Sequence, residues 1–133
     1  MHPSLLTTEQ VALKDAARKL ALGEFRDRAA RWDRDGIYPE ENHHRLGALG
    51  YLGMTIPEAY GGQGASYLDA VLVVEEMAKQ CGVTGRIAVE ANMGAISAIM
   101  AYGTDDQRRL AAGLVLDGDK PAICITEPGA GSA

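Results

Sequence analysis

The sequence predicts an all-α fold up to about residue 120, followed by the first strand of a second unit. Five stretches repeat apolar residues at three- and four-residue spacing, which is the period of a helix with one buried face. Glycine and proline separate these stretches. The segment 122–125 is instead short and rich in isoleucine, and we predict that it forms a strand.

The first two helices are predicted over residues 8–31 and 39–50. Thr7 or Thr8 provides an N-cap for the first, because a threonine hydroxyl accepts a hydrogen bond from the free amides of the first turn. The apolar stripe of this helix consists of Leu13, Ala17, Leu20, Ala21 and Phe25. Two glutamates begin the second helix, where negative charge interacts favourably with the helix dipole.

Three further helices follow a glycine-rich loop. The third begins after Ser66, which can cap it, and ends at Gly82. The fourth covers residues 83–102 and is apolar on nearly every side, so we expect it at the centre of the bundle. The fifth begins after Thr104, another N-cap residue, and ends at about Asp117.

The composition limits the classes of function. The 133 residues carry a net charge of −5 and are 47% apolar, which suits a globular protein and offers no basic surface to nucleic acid or a membrane. Cys81 and Cys124 lie far apart, with neither a Cys-x-x-Cys motif nor a Cys/His metal spacing. The first residues lack the features of a signal peptide, so we expect a cytoplasmic protein that binds no metal.

Two pairs of adjacent polar residues are weak candidates for chemistry. His43 and His44 point in different directions on a helix, whereas helical metal ligands need i, i+4 spacing, so we predict surface histidines. Glu75 and Glu76 also diverge, and we predict that one faces solvent and the other a polar neighbour. Neither pair predicts a catalytic residue.

Arg86 is the strongest candidate within the helices. It lies near the start of the most apolar helix, where a charge without a partner is costly. Glu90, four residues later, has the spacing of a helical ion pair. A guanidinium also offers a fork of donors to a carboxylate or sulfinate on a ligand. Both roles remain open, and they are compatible if Glu90 orients Arg86.

Two glycine-rich segments are candidate ligand loops. "GGQGAS" (61–66) lacks the lysine of a P-loop and the strand–turn–helix context of a dinucleotide fingerprint, so we favour a flexible connection over a ligand contact. The last loop combines glycines with the hydroxyls of Thr126 and Ser132. Free amides and hydroxyls predict a ligand-facing turn there, without identifying the ligand.

Several motifs together resemble the acyl-CoA dehydrogenase family. "ICITEPGAGS" (123–132) is similar to the family signature, in which apolar residues precede Thr-Glu-Pro and the motif ends in Gly-Ser-Asp. The other landmarks occur in the family's order: "LGYLGMTIPEAYGGQGAS" (49–66), "VVEEMAKQC" (73–81) and "YGTDDQRRLAAGLVLDGDKPA" (102–122). The resemblance implies the family's N-terminal helical domain over residues 1–120 and the truncated start of its middle β-domain over residues 121–133.

The resemblance also implies FAD as cofactor and an acyl-CoA thioester as substrate. In the family, FAD lies between the helices and the middle domain. The cofactor-binding residues carried over to this sequence are Ile123, Cys124, Ile125, Thr126, Gly131 and Ser132. The first three would line the flavin, Thr126 would hydrogen-bond its ring, and Ser132 would contact both flavin and acyl-CoA. Arg86 is the other substrate-binding candidate.

The activity implied is α,β-dehydrogenation of a short acyl-CoA, neutral or acidic, by a dimer or tetramer that passes electrons to electron-transfer flavoprotein. The family's catalytic glutamate lies in its C-terminal domain, so we expect this segment alone to be inactive. Arg86, and Ala133 in place of the family's aspartate, favour as an alternative a branch that includes 3-sulfinopropionyl-CoA desulfinases. A helical interaction module without catalysis is the remaining alternative.

Overall fold

The computed structural model describes residues 5–131 and consists almost wholly of helices. A π-helical segment at Ala21–Phe25 joins the first two helices, and a 3₁₀ turn occupies Glu58–Tyr60. The α-helices of the described part are α1 (Thr8–Leu20), α2 (Arg26–Asp35), α3 (Glu40–Ala48), α4 (Tyr67–Gln80), α5 (Gly82–Asn92), α6 (Ala95–Tyr102) and α7 (Asp105–Leu116). None of them is long and apolar enough to cross a membrane.

The predicted all-α class is confirmed, but the predicted strand at 122–125 is not formed. These residues are exposed coil, and no strand occurs anywhere between residues 5 and 131. An isolated antiparallel bridge between Glu127 and Ala130 follows them. A strand needs a neighbour whose backbone groups pair with its own, and the described chain offers this segment none.

The N-terminal helix continues past its predicted end to Asp35 and is not uniformly α-helical. Ala17, Ala21 and Phe25 are buried at four-residue spacing and face the core. The π-helical segment contains the last two and widens the helix there. Gly36 ends the helix with a φ of 62°, a left-handed conformation that glycine adopts without steric cost.

The predicted fourth helix is two helices, α5 and α6, which meet at Met93 and Gly94. Most residues of α5 are buried, and this helix packs against α4. Gly85 permits the close contact, since a Cβ there would lie 2.6 Å from the Cβ of Ala78. In α6 only Ile96 is buried. The expectation of a central apolar helix therefore holds for its first half alone.

Part of the hydrophobic core comes from the loop after α3. Leu52, Met54 and Ile56 in this loop are as buried as the core residues of the helices. Full burial of a large apolar side chain stabilises a fold by about 1.5–3 kcal/mol. The loop is therefore an integral part of the core and not a surface connection.

Asn92, the last residue of α5, holds this loop against the break between α5 and α6. Its side chain accepts a hydrogen bond from the amide of Met54 at 2.7 Å. It also donates to the carbonyl oxygens of Tyr51 and Ala88, at 2.8 and 2.9 Å. The backbone carbonyl of Asn92 accepts from the hydroxyl of Thr55 at 2.5 Å. One buried amide thus connects the end of α5 to the loop.

Asn92→Leu should lower the free energy of unfolding by about 3 kcal/mol, because it leaves the buried amide of Met54 and the partly buried carbonyl of Tyr51 without partners. Urea unfolding followed by circular dichroism measures this loss. Gln63→Leu is the matched control, since Gln63 is an exposed amide that donates to the carbonyl of Gly50. A loss for Asn92→Leu no larger than that of the control would contradict the role given to Asn92.

A cluster of ion pairs joins α1 to α4. Glu76 is 2% exposed and accepts hydrogen bonds from Arg18 and Lys79, with Lys14 3.6 Å away. Glu75 is more exposed and pairs with Lys14 at 2.7 Å and with Lys79 at 3.0 Å. The prediction holds for Glu76, which faces polar neighbours, but is wrong for Glu75, which is one-third exposed and contacts the same two lysines. Hydrogen bonds from Lys14 and Lys79 lower the pKa of Glu75 to about 2.

This pKa predicts a stability change at acid pH. Because the pKa of Glu75 falls from 4.5 to about 2 on folding, the unfolded chain binds more protons between these values. Glu75 therefore contributes stability that is complete above about pH 4.5 and is lost as the pH falls toward 2. Glu75→Gln should flatten the dependence of the unfolding free energy on pH in this window.

Thermal unfolding at stepped pH measures the change. The loss for Glu75→Gln at neutral pH should stay within about 1 kcal/mol, because solvent screens a carboxylate that is one-third exposed. Asp27→Asn, which removes an exposed carboxylate paired with Arg26, is the control and should keep the acid slope. An acid slope that is the same in Glu75→Gln as in the unaltered chain would refute the assignment.

Candidate functional site

The predicted site residues lie in two regions of the structure. Arg86 is on α5, whereas Ile123 to Gly131 belong to the exposed segment that follows α7. No hydrogen bond or ion pair among the described residues joins these two regions. Ser132 and Ala133 lie outside the described residues, so the contacts expected of Ser132 stay a prediction.

The segment after α7 presents both apolar and polar groups to its surroundings. Ile123 and Ile125 are 45% and 76% exposed, and Cys124 carries an exposed free thiol. Thr126 is exposed beside them. Exposed isoleucines are suited to cover the flat face of an aromatic ring, and a threonine hydroxyl can donate to a ring heteroatom. These residues therefore fit the chemistry of a flavin.

A tight turn follows Thr126. The amide of Glu127 donates to the carbonyl of Ala130 at 3.2 Å, and the reverse hydrogen bond measures 3.1 Å. Gly129 and Gly131 have open space where a side chain would project, so a ligand can approach their backbone closely. The predicted turn is present, and its contact with a ligand stays a prediction.

Arg86 is more exposed than its place in an apolar helix predicts. Its side chain is 69% exposed, so the expectation of a charge placed among apolar groups is wrong. The predicted ion pair is confirmed, because Nη2 of Arg86 contacts Oε1 of Glu90. This contact uses one nitrogen of the guanidinium and leaves its other donors accessible to an anion.

Glu90 is the buried member of this pair. Its side chain is 5% exposed, and its Oε2 atom is buried without a hydrogen-bond partner among the described residues. The backbone of Gly94 packs against Oε2 so closely that a Cβ on residue 94 would collide with it. The i, i+4 spacing predicted the pair but carried no signal of this burial, to which the approach of Gly94 contributes.

The prediction of two surface histidines holds for His44 and is wrong for His43. His44 is exposed, whereas His43 is half-buried with Nδ1 3.0 Å from the hydroxyl of Tyr38. Burial lowers the pKa of His43, and the adjacent backbone of Gly118 opposes that shift. In the described part of the chain, no three His, Cys, Asp or Glu side chains are arranged to hold a metal ion.

The GGQGAS loop has a packing explanation. Gly62 donates to the carbonyl of Pro57, and Gly64 donates to the carbonyl of Ile56. Gly62 also lies directly against the backbone of Ile56, where any side chain would collide. The glycines therefore allow the loop to pack closely onto the core.

An apolar groove of about 560 Å³ runs between α6 and α7. Ile99, Tyr102, Leu110 and Leu114 line it, and Tyr102 is 90% exposed. Sequence reasoning missed this groove because it treated residues 83–102 as one central helix. The groove is lined by residues of α6 and α7, on the far side of the break at Gly94.

A family model described as "Acyl-CoA dehydrogenase, N-terminal domain" matches residues 7–119. The 3-sulfinopropanoyl-CoA desulfinase of Variovorax paradoxus is 59% identical over 128 residues, which cover 96% of this chain and 32% of that protein. The short-chain specific acyl-CoA dehydrogenase of Clostridium acetobutylicum is 34% identical, over 96% of this chain and 34% of that protein.

A solved structure supports the same relationship. The crystal structure of an acyl-CoA dehydrogenase from Geobacillus kaustophilus matches with a TM-score of 0.84 and 30% sequence identity, over 96% of this chain and 33% of that chain. The chain spans about a third of the length of the curated relatives it matches. With the family match extending over residues 7–119, the chain belongs to the acyl-CoA dehydrogenase family and carries its N-terminal domain.

Proposed function

We propose that this chain forms the helical wall of an FAD- and acyl-CoA-binding site in a longer flavoprotein of the acyl-CoA dehydrogenase family. Membership of that family is the observation that carries the proposal. Because the chain spans about a third of its relatives, the rest of the longer protein would complete the site. The middle domain would then begin after a boundary near residue 120.

The exposed segment after α7 would hold the cofactor. Ile123–Ile125 would cover one face of the flavin, and Thr126 would donate a hydrogen bond to its ring. Gly131 would allow close backbone approach, and Ser132 would contact both flavin and acyl-CoA. Bound FAD supplies the two-electron chemistry of the family. No residue of this segment is proposed as the catalytic base, so the segment alone should not turn over substrate.

Arg86 would bind an acidic group at the end of a short acyl chain. Its guanidinium is 69% exposed and is only partly engaged by Glu90. The planar fork of donors matches the paired oxygens of a carboxylate or sulfinate. An identity of 59% to a relative named as a 3-sulfinopropanoyl-CoA desulfinase supports an acidic substrate.

Two reactions suit such a substrate. Dehydrogenation removes a proton from Cα and a hydride from Cβ, and the two electrons pass to an acceptor such as electron-transfer flavoprotein. Desulfination breaks the bond between Cβ and sulfur and forms a C–H bond. One water supplies that hydrogen and the added oxygen of the released bisulfite, so no net electrons leave. The higher identity to the desulfinase, 59% against 34% for the dehydrogenase, favours desulfination.

We further propose a cytoplasmic homo-oligomer. Cys81 and Cys124 are free thiols, which suits a reducing compartment. Light scattering of the full-length protein tests for the dimer or tetramer that the family implies. A helical interaction module without catalysis is the remaining alternative. Bound flavin absorbance in the purified full-length protein would support the enzyme, whereas a colourless protein that does not take up FAD would overturn it.

The full-length protein that carries this segment should release sulfite from 3-sulfinopropanoyl-CoA without any added electron acceptor, because desulfination needs none. Colorimetric detection of sulfite and mass spectrometry of the acyl product measure the reaction. The control is butyryl-CoA of similar length, offered with an artificial electron acceptor. An unsaturated product from butyryl-CoA, together with no sulfite from 3-sulfinopropanoyl-CoA, would establish dehydrogenation and exclude desulfination.

Arg86→Met in the full-length holoprotein should weaken the binding of an acidic acyl-CoA about tenfold more than that of a neutral one of equal length. The substitution removes charge-assisted hydrogen bonds worth about 1.5–3 kcal/mol. Isothermal titration calorimetry measures both affinities. Arg109→Met is the matched control, because Arg109 is 63% exposed and pairs at i, i+4 spacing with Asp105. If the affinities for the two ligands fall equally, Arg86 does not bind the acidic group and only forms its ion pair with Glu90.

A further inference from the structure

We propose that Glu90 is a positioning residue, which holds the Arg86 guanidinium in the orientation that binds the acidic group of the acyl-CoA. The inference rests on the proposed function of Arg86 and adds a second residue to that site. Glu90 is buried, and among the described residues only one of its two carboxylate oxygens has a partner.

The two members of the pair differ strongly in exposure. The side chain of Arg86 is 69% exposed, and that of Glu90 is 5% exposed. A surface ion pair between two mobile side chains contributes little to stability, because both must be ordered to form it. In this pair one member is already ordered by burial. Glu90 therefore acts as an anchor, and Arg86 extends from it into the surroundings.

The anchor is fixed by packing and by the end of its helix. Gly94 lies against Oε2 of Glu90 and closes that side of the carboxylate. Two residues after Glu90, the side chain of Asn92 is hydrogen-bonded to Met54 and Tyr51 in the loop after α3. The backbone that carries Glu90 thus has contacts on both sides of the helix break.

The contact with Glu90 reduces the freedom of Arg86 before a ligand arrives. A free arginine side chain samples many rotamers, and binding an anion selects few of them. Glu90 engages Nη2 of Arg86, which restricts the guanidinium, and no other contact of this group is found among the described residues. The planar group can then meet a second anion with its remaining donors. Positioning of this kind raises affinity by lowering the ordering cost of binding.

Another buried glutamate shows that Glu90 is unusual in this domain. Glu76 is 2% exposed and is surrounded by three cations, Lys14, Arg18 and Lys79. Glu90 has one cation and an oxygen without a partner in the described chain. Burying a carboxylate that is incompletely paired is destabilising, and an apolar residue would avoid that cost. A role in ligand binding explains why a carboxylate stands there.

Glu90→Gln shows whether Glu90 positions Arg86 for the ligand or competes with the ligand for Arg86, because the two cases change the affinity for an acidic acyl-CoA in opposite directions. If Glu90 only competed with the ligand for Arg86, removing its charge would strengthen the binding of an acidic acyl-CoA. If Glu90 positions Arg86, glutamine keeps the size but holds the guanidinium through a weaker, uncharged hydrogen bond. Binding of the acidic ligand should then weaken, while that of a neutral ligand should not change.

The experiment uses the full-length holoprotein and calorimetric titration with 3-sulfinopropanoyl-CoA and butyryl-CoA. Glu90→Gln should raise the Kd of the acidic ligand about fivefold and that of the neutral ligand less than twofold. In the background of Arg86→Met, Glu90→Gln should cause no further loss, because the two residues act together. Asp105→Asn, which removes the acid of another i, i+4 pair, is the control and should change neither Kd.

The outcomes separate this inference from the proposed function. No preference for the acidic ligand in the unaltered protein would overturn the role of Arg86 itself. A preference lost in Arg86→Met but unchanged or increased in Glu90→Gln would overturn only the positioning by Glu90. If thermal unfolding shows that Glu90→Gln does not fold, Arg86→Lys replaces it, since that residue is exposed. Lysine keeps the charge without the fork, so a fully retained preference would also overturn the inference.

Discussion

The hydrogen bonds of the Asn92 side chain are the contacts on which the rest of this domain depends. A carboxamide offers one acceptor and two donors, and here they meet Met54, Tyr51 and Ala88 at 2.7 to 2.9 Å. In a buried site, separating such groups costs more than each hydrogen bond contributes when it is formed. The loop after α3 and the end of α5 therefore cannot separate independently, and they form one cooperative unit.

The same hydrogen bonds shape the candidate substrate region. α5 ends at Asn92, and Met93 and Gly94 redirect the chain before α6 begins. This change of direction brings the backbone of Gly94 onto the carboxylate of Glu90. Glu90 is consequently buried on that side and contacts Arg86 on the other. The two members of the pair differ in exposure, as Glu76 and Lys79 do on the uninterrupted helix α4.

Features that depend on neighbours in the sequence could be predicted, whereas those that depend on distant partners could not. Capping boxes are present at Thr7, Ser66 and Thr104, where hydroxyl and carboxamide or carboxylate side chains stand three residues apart. The helix break at Gly94 was missed, because its cause is an asparagine whose partners lie 38 and 41 residues away in the chain. The predicted strand failed for a related reason, since its pairing depends on backbone groups that the described chain does not provide.

For the candidate site, the residue types could be predicted but their surroundings could not. The signature segment at 123–132 was recognised from its sequence alone, and the structure adds that Ile123 and Ile125 are exposed. The start of that segment is held by hydrogen bonds, because the amides of Gly118 and Asp119 donate to carbonyls at the end of α7. Beyond the turn, the described residues provide few contacts that would hold an extended backbone in one shape. The domain thus provides a helical surface that carries Arg86 and a turn from which the signature segment begins. The geometry between the two regions must then come from contacts outside the helical domain.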